Sequence, residues 1–168
     1  MFAPDPINDS EEVWKEYKDH HIKMMMYLNG CDFIKAAAAI KDEAYEKQNP
    51  VYYHLVCQGL EILMKLLLWQ NHGLRLESSR KKYGHNLEKL YDEMVKDGTI
   101  SARDDDMISE LEWWYSQHLL RYPAFVGLFS IRPDPYNVRN IDSFIEQISE
   151  VAQKANAIER EAKLPSST

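Results

Sequence analysis

Apolar residues along this chain recur at intervals of three and four, and the two-residue alternation of a half-buried strand is hard to find. The spacing predicts a first helix from about Glu11 to Leu28. Asp9 is its N-cap and Glu12 sits at capping-box distance. Trp14, Tyr17, His21, Met24, Met25 and Leu28 fall on one face, and Asn29-Gly30 reads as a stop. A second helix is expected over about Asp32 to Lys47, with Phe33, Ala36, Ala37, Ile40 and Ala44 in a stripe whose small residues permit close approach of another helix. Asn49-Pro50 breaks the chain, and Pro50 suits the first turn of a third helix, Pro50 to His72. That third segment is apolar nearly all round, the pattern of a helix buried on several sides or engaged in an oligomer contact.

Gly73 closes the third helix. Residues 74 to 84, LRLESSRKKYG, read as a polar connection and form the chain's one basic segment. A fourth helix follows at about Asn86 to Lys96, carrying Leu87, Leu90, Tyr91 and Met94. Ser101 is the expected cap of a fifth helix. Asp104, Asp105 and Asp106 lie in its first turn, where the helix dipole favours negative charge. Its stripe is Met107, Ile108, Leu111, Trp114, Tyr115 and Leu119. Residues 121 to 137 hold Pro123, Pro133 and Pro135 and read as an ordered loop. A last helix spans about Val138 to Lys163. The pattern is an all-α bundle of five to six helices, one domain over residues 1–168 with an ordered core of about 9–163 and frayed ends.

Composition narrows the partners. The 168 residues suit one core, and 45% apolar with 28% charged is ordinary for a soluble protein. A net charge of −7 repels nucleic-acid backbone in bulk, so such a ligand would need a local basic patch. Met1 to Ser10 has no basic start followed by an apolar run, so no signal peptide is expected. The run from Leu60 to Trp69 is interrupted by Glu61 and Lys65, too short and too charged to span a membrane. A cytoplasmic protein without a cofactor is expected. Cys31 and Cys57 lack CxxC spacing and read as buried free thiols.

Three segments, taken together, resemble the HEPN domain family (higher eukaryotes and prokaryotes nucleotide-binding). The first is QGLEILMKLLL in the third helix, with Glu61 and Lys65 as its Glu-x-x-x-Lys. The second is GHNLEKLY, Gly84 to Tyr91, with Asn86 where the family usually has Asp. The third is WWYSQHLLRYP, Trp113 to Pro123, similar to the family's Tyr…Arg-Tyr-Pro segment. Order and spacing agree over about residues 33 to 160. The resemblance implies an antiparallel helical bundle that commonly dimerises. Members include ribonuclease toxins, nucleotide-binding modules, partners of nucleotidyltransferases and inactive scaffolds, so fold alone does not set activity.

The candidate chemistry is sparse. The ribonuclease members share an Arg-x4–6-His motif on a late helix, where His moves a proton and Arg holds developing phosphate charge. Arg80 and His85 have that spacing but precede the fourth helix, and the last helix has no histidine. The alternative is that Arg80 is a solvated loop residue and His85 a helix cap. Arg80, Lys81, Lys82, Arg121 and Tyr122 are the ligand-binding candidates, through bidentate or point-charge contact with phosphate and stacking on a base. Arg121 has a structural alternative, contact with helix-end carbonyls or with Glu61. Glu61 and Lys65, at i and i+4, can pair on their own helix. Glu16 and His20 are at i, i+4, but no second helix supplies a matching Glu-x-x-His, so no metal is expected. The leading expectation is a non-enzymatic binding or interaction module that engages a nucleotide, an RNA or a protein partner. A metal-independent endoribonuclease and a purely structural subunit are the alternatives. A homodimer is expected from excess apolar surface: the third helix, Met24 to Met26, and Trp113-Trp114.

Overall fold

The computed structural model describes residues 10–41, 50–101, 105–116 and 135–161. Among them are six helices and no strand: α1 (Glu11–Ala39), α2 (Pro50–His72), α3 (Leu76–Tyr83), α4 (Leu87–Lys96), α5 (Asp105–Ser116) and α6 (Pro135–Glu161). The all-α bundle is as the periodicity predicts. Helix α2 is its axis. Val56, Cys57, Leu60, Leu63, Met64, Leu67 and Leu68 are all at most 1% exposed, so its all-round apolarity is consumed within the chain. Helices α1, α4, α5 and α6 pack against it, bringing Leu87, Leu90, Met94, Ile108, Phe144 and Ile148 into the same core. By length and composition alone α2 could cross a membrane, but 72% of its most apolar window is buried inside the bundle.

Helix α1 departs from the expected pattern in three ways. Its N-cap is Ser10, whose hydroxyl accepts from the Val13 N–H, while Asp9 lies outside the described residues. It does not stop at Asn29-Gly30 but runs unbroken to Ala39, absorbing the predicted second helix as far as it is described. The reason is a helix crossing. A Cβ on Gly30 would lie 2.6 Å from Leu63 Cδ2, and one on Gly59 2.7 Å from Ile34 Cδ1. The two glycines let α1 and α2 approach closely, and that contact offsets the helix propensity the glycines forgo. Contacts of Asp19 with Arg75, of Met26 with Leu66 and Trp69, and of the Gly30 position with Leu63 show that the two helices run antiparallel.

The third departure concerns which face is buried. A stripe such as Trp14, Tyr17, His21, Met24, Met25 and Leu28 ordinarily faces a core. Here the core side of α1 is the opposite one, with Met26, Gly30 and Ala37 buried. Met25 and Leu28 are 41% and 42% exposed.

Residues 74 to 84 are also more ordered than their composition suggests. Leu76, Ser79 and Tyr83 lie at i, i+3 and i+7 and face inward, Ser79 and Tyr83 being buried, so LESSRKKY closes as α3. A serine in the stripe hid the period. The last helix begins at Pro135 rather than Val138, because proline is compatible with a first turn. The remainder of the expected 121–137 loop and the residues 102–104 before α5, with the predicted cap there, lie outside the described residues.

Candidate functional site

Within the apolar α2, four polar residues ahead of its last turn keep to one line: His54, Gln58, Glu61 and Lys65, spaced four, three and four. That spacing puts them on one face. Glu61 and Lys65 are among the few buried charged residues, each 4% exposed. They pair as the spacing suggests: Lys65 Nζ donates to Glu61 Oε1 at 2.6 Å. The ammonium also donates to the Gly84 carbonyl at 2.5 Å. A charge on the core helix thereby fixes the turn between α3 and α4.

That turn carries His85. Its Nδ1 lies 3.0 Å from both Glu61 oxygens and donates to the carboxylate. Its side chain is 60% exposed, against 5% for Glu61. From the other side, Tyr115 on α5 donates its hydroxyl to Glu61 Oε2 at 2.7 Å, with Gln58 Oε1 also within 3.0 Å. Burial by itself pushes the Glu61 carboxyl upward. The hydrogen bonds from Lys65 and Tyr115, the Lys65 charge and the His85 bond together outweigh it, and the net direction is down. Glu61 is therefore held as a carboxylate. With Nδ1–H committed to it, neutral His85 keeps its lone pair on Nε2.

Glu112 is the second buried carboxylate nearby, on α5. It accepts the Leu87 N–H at 2.6 Å and so caps the start of α4, beside Asn86, whose side chain accepts from Lys89 N–H. Asn86, not His85, is the helix cap, which frees His85 for Glu61. Burial pushes the Glu112 carboxyl up, the Leu87 N–H opposes it, and the charges of Glu88 and Glu61 add to the rise. Burial likewise pushes the Cys57 thiol far up, helped by Glu112 and Glu61, so this cysteine is an inert core residue. Cys31 is also a free thiol.

The basic candidates divide. Lys82 is engaged, paired with Glu93 at 3.2 Å and lying over the Tyr83 ring. Arg80 and Lys81 are exposed on the last turn of α3 and have no carboxylate within ion-pair distance among the described residues. With Glu77 they line a shallow concavity. Arg121 and Tyr122 lie outside the described residues, as does the nearby His118. A larger groove between α1 and α3 is lined by Lys15, Lys18 and Arg75 but also by Glu11, Glu12 and Asp19, so it has no dominant sign. Among the described residues no three His, Cys, Asp or Glu side chains gather as a metal site.

Gln58, Glu112 and Tyr115 are the members of this cluster that the sequence pattern does not single out as polar partners. Tyr115 passes for one more apolar-stripe residue. The signal that would have found them is the polar line on α2, which demands facing partners on whichever helix covers it. The three segments that carry the family resemblance meet at this point, through Glu61 and Lys65, Gly84 and His85, and Tyr115. Comparison with protein-family models, curated proteins and solved structures finds no match to this chain.

Proposed function

We propose that this chain is a HEPN-like helical binding module whose ligand face is the α3–α4 turn, and that it takes a phosphate-bearing ligand, a nucleotide or a short RNA. One observation carries the reading. Arg80 and Lys81, which form no ion pair among the described residues and share their concavity with Glu77, lie beside a turn that the buried Lys65 pins by its Gly84 carbonyl. Binding charge on a fixed turn loses less entropy on engagement than the same charge on a loose loop. Arg80 grips phosphate in bidentate fashion and Lys81 adds a point charge. In a protein of net charge −7, such a patch is a local exception to the field.

The test is titration of labelled nucleotides and short RNAs at low and high salt, with wild type, Arg80→Ala/Lys81→Ala and Arg121→Ala. Binding should be present at low salt, weaken as salt rises, and fall away in the Arg80/Lys81 variant while its circular dichroism is unchanged. Absence of binding at low salt, or indifference to that variant, removes this site and leaves a protein partner as the better reading.

The metal-independent endoribonuclease remains as a second reading because of one specific feature. A carboxylate that holds Nδ1 of an exposed imidazole leaves Nε2 available to accept a proton, the arrangement general-base chemistry needs. RNA cleavage in the presence of a chelator, abolished by His85→Ala and weakened by Glu61→Gln, would promote it over simple binding.

A further inference from the structure

Three charged side chains share one hollow on α3 without neutralising one another. Glu77 stands one turn before Arg80 and Lys81, at i, i+3 and i, i+4, and the three line the same concavity. Glutamate four residues ahead of lysine is the arrangement that ordinarily pairs along a helix. Here, among the described residues, none of the three side chains forms an ion pair or a hydrogen bond. A site for phosphate alone has no use for the carboxylate, which repels an anion. Glu77 also lines the larger groove between α1 and α3, and among the described residues it is the one that the two hollows share. Trp14, Ile22, Trp69 and Leu76 give that groove its apolar lining, and within it Arg75 is paired with Asp19. Along α3 the order is therefore two cations, one acceptor, then an aromatic hollow of no dominant sign.

We infer, resting on the phosphate site proposed above, that this order selects a ribonucleotide with a free cis-diol: phosphate on Arg80 and Lys81, the ribose hydroxyls on Glu77, and the base in the α1–α3 groove. An ionised carboxylate only accepts hydrogen bonds, so Glu77 calls for O–H donors. The adjacent 2′ and 3′ hydroxyls of ribose bring one donor to each of its oxygens, and a bare phosphate brings none. The spacing fits. At 1.5 Å per residue Glu77 stands roughly 5 Å back along the helix from the two cations, close to the reach of a nucleotide from its phosphate to its ribose hydroxyls. The base then lies beyond Glu77, away from the cations, where an uncharged flat ring meets the apolar lining and can stack on Trp14. Two sources carry this chemistry, a free ribonucleoside monophosphate and the 3′ end of an RNA. An internal nucleotide has its 3′ oxygen esterified, and DNA lacks the 2′ hydroxyl, so neither offers Glu77 the pair of donors.

The experiment is calorimetric titration of the full chain at low salt, wild type and Glu77→Ala, with adenosine 5′-monophosphate, its 2′,3′-dideoxy analogue, and a short RNA whose 3′ end is free or phosphorylated. Wild type should prefer the monophosphate over the dideoxy analogue by about tenfold, the weight of a hydrogen bond to a charged group. Glu77→Ala should weaken the monophosphate by about the same factor and erase the preference, with circular dichroism unchanged because Glu77 is exposed. The sign is diagnostic, since charge alone predicts that removing Glu77 tightens every phosphate ligand. RNA that binds with a free 3′ end and not with a phosphorylated one identifies the RNA end as the source, and binding of the mononucleotide alone identifies the free nucleotide. If no phosphate ligand binds wild type, the phosphate site falls and the ribose assignment with it. If the monophosphate and its dideoxy analogue bind wild type equally, or Glu77→Ala tightens the monophosphate, the ribose assignment is overturned while the phosphate site stands.

Discussion

Lys65→Met isolates what the buried network at Glu61 does. Methionine fills nearly the same length without the ammonium. In the wild type that ammonium is 4% exposed and satisfies a carboxylate 5% exposed, at 2.6 Å, together with the Gly84 carbonyl. Among the described residues, removing it leaves Glu61 buried with two neutral or exposed donors, Tyr115 and His85. Breaking a buried pair from one side costs about 3–5 kcal/mol, a large part of the roughly 5–15 kcal/mol that holds a domain together. The double variant Glu61→Leu/Lys65→Met removes both charges, and Tyr115 retains Gln58 as a partner, so its loss should be clearly smaller than that of the single variant. His85→Ala should cost no more than about 1 kcal/mol, because its ring is mostly in water and its bond is screened. Urea unfolding followed by circular dichroism measures all three. The pH dependence gives an independent check. The folded Glu61 value lies below its ordinary one, so its stabilisation is present above about pH 4.3 and is lost as pH falls through the folded value. Without Lys65 the Glu61 carboxyl rises, so the Lys65→Met penalty should shrink on acidification as Glu61 takes up a proton. A single-variant loss under about 1 kcal/mol, or a double variant as damaged as the single one, would refute the claim that this pair is a committed buried charge rather than an incidental contact.

Glu112 should behave with the opposite sign. Its folded value is raised, so its charge costs stability as pH rises above the ordinary carboxylate range. Glu112→Gln, which can still accept the Leu87 N–H, should be at least as stable as wild type at pH 7, whereas Glu112→Ala loses the cap and about 1 kcal/mol. A Glu112→Gln variant that is less stable at neutral pH would show that the carboxylate's charge is needed there. Gly30→Ala would place a methyl 2.6 Å from Leu63, itself fully buried, so overpacking at roughly 1–3 kcal/mol should exceed the helix-propensity gain of about 1 kcal/mol and lower the melting temperature. Gly73→Ala, with nothing within 4 Å of its Cβ but φ at +65°, should also destabilise, through the backbone and without altering the α1–α2 crossing.

The sequence determined the class of this fold and most of its helices, because helical period survives wherever apolar residues mark one face. Pro50 opened α2 where expected, Leu87 to Met94 set α4, and Glu61 and Lys65 paired across one turn. These are local relations, and local spacing is what a sequence displays. What needed the tertiary structure was every question of which surface meets which. Gly30 looked like a stop until Leu63 and Gly59 were seen against it, since a missing side chain signals either a break or a close approach and only the partner tells them apart. The apolar stripe of α1 looked like its core face, yet α1 buries Met26, Gly30 and Ala37 instead, because small residues let α2 approach more closely than Trp14 and Tyr17 would permit. Arg80 and His85 are neighbours in sequence, but that His85 belongs to Glu61, twenty-four residues earlier, follows only from the way Lys65 draws the Gly84 carbonyl down onto α2.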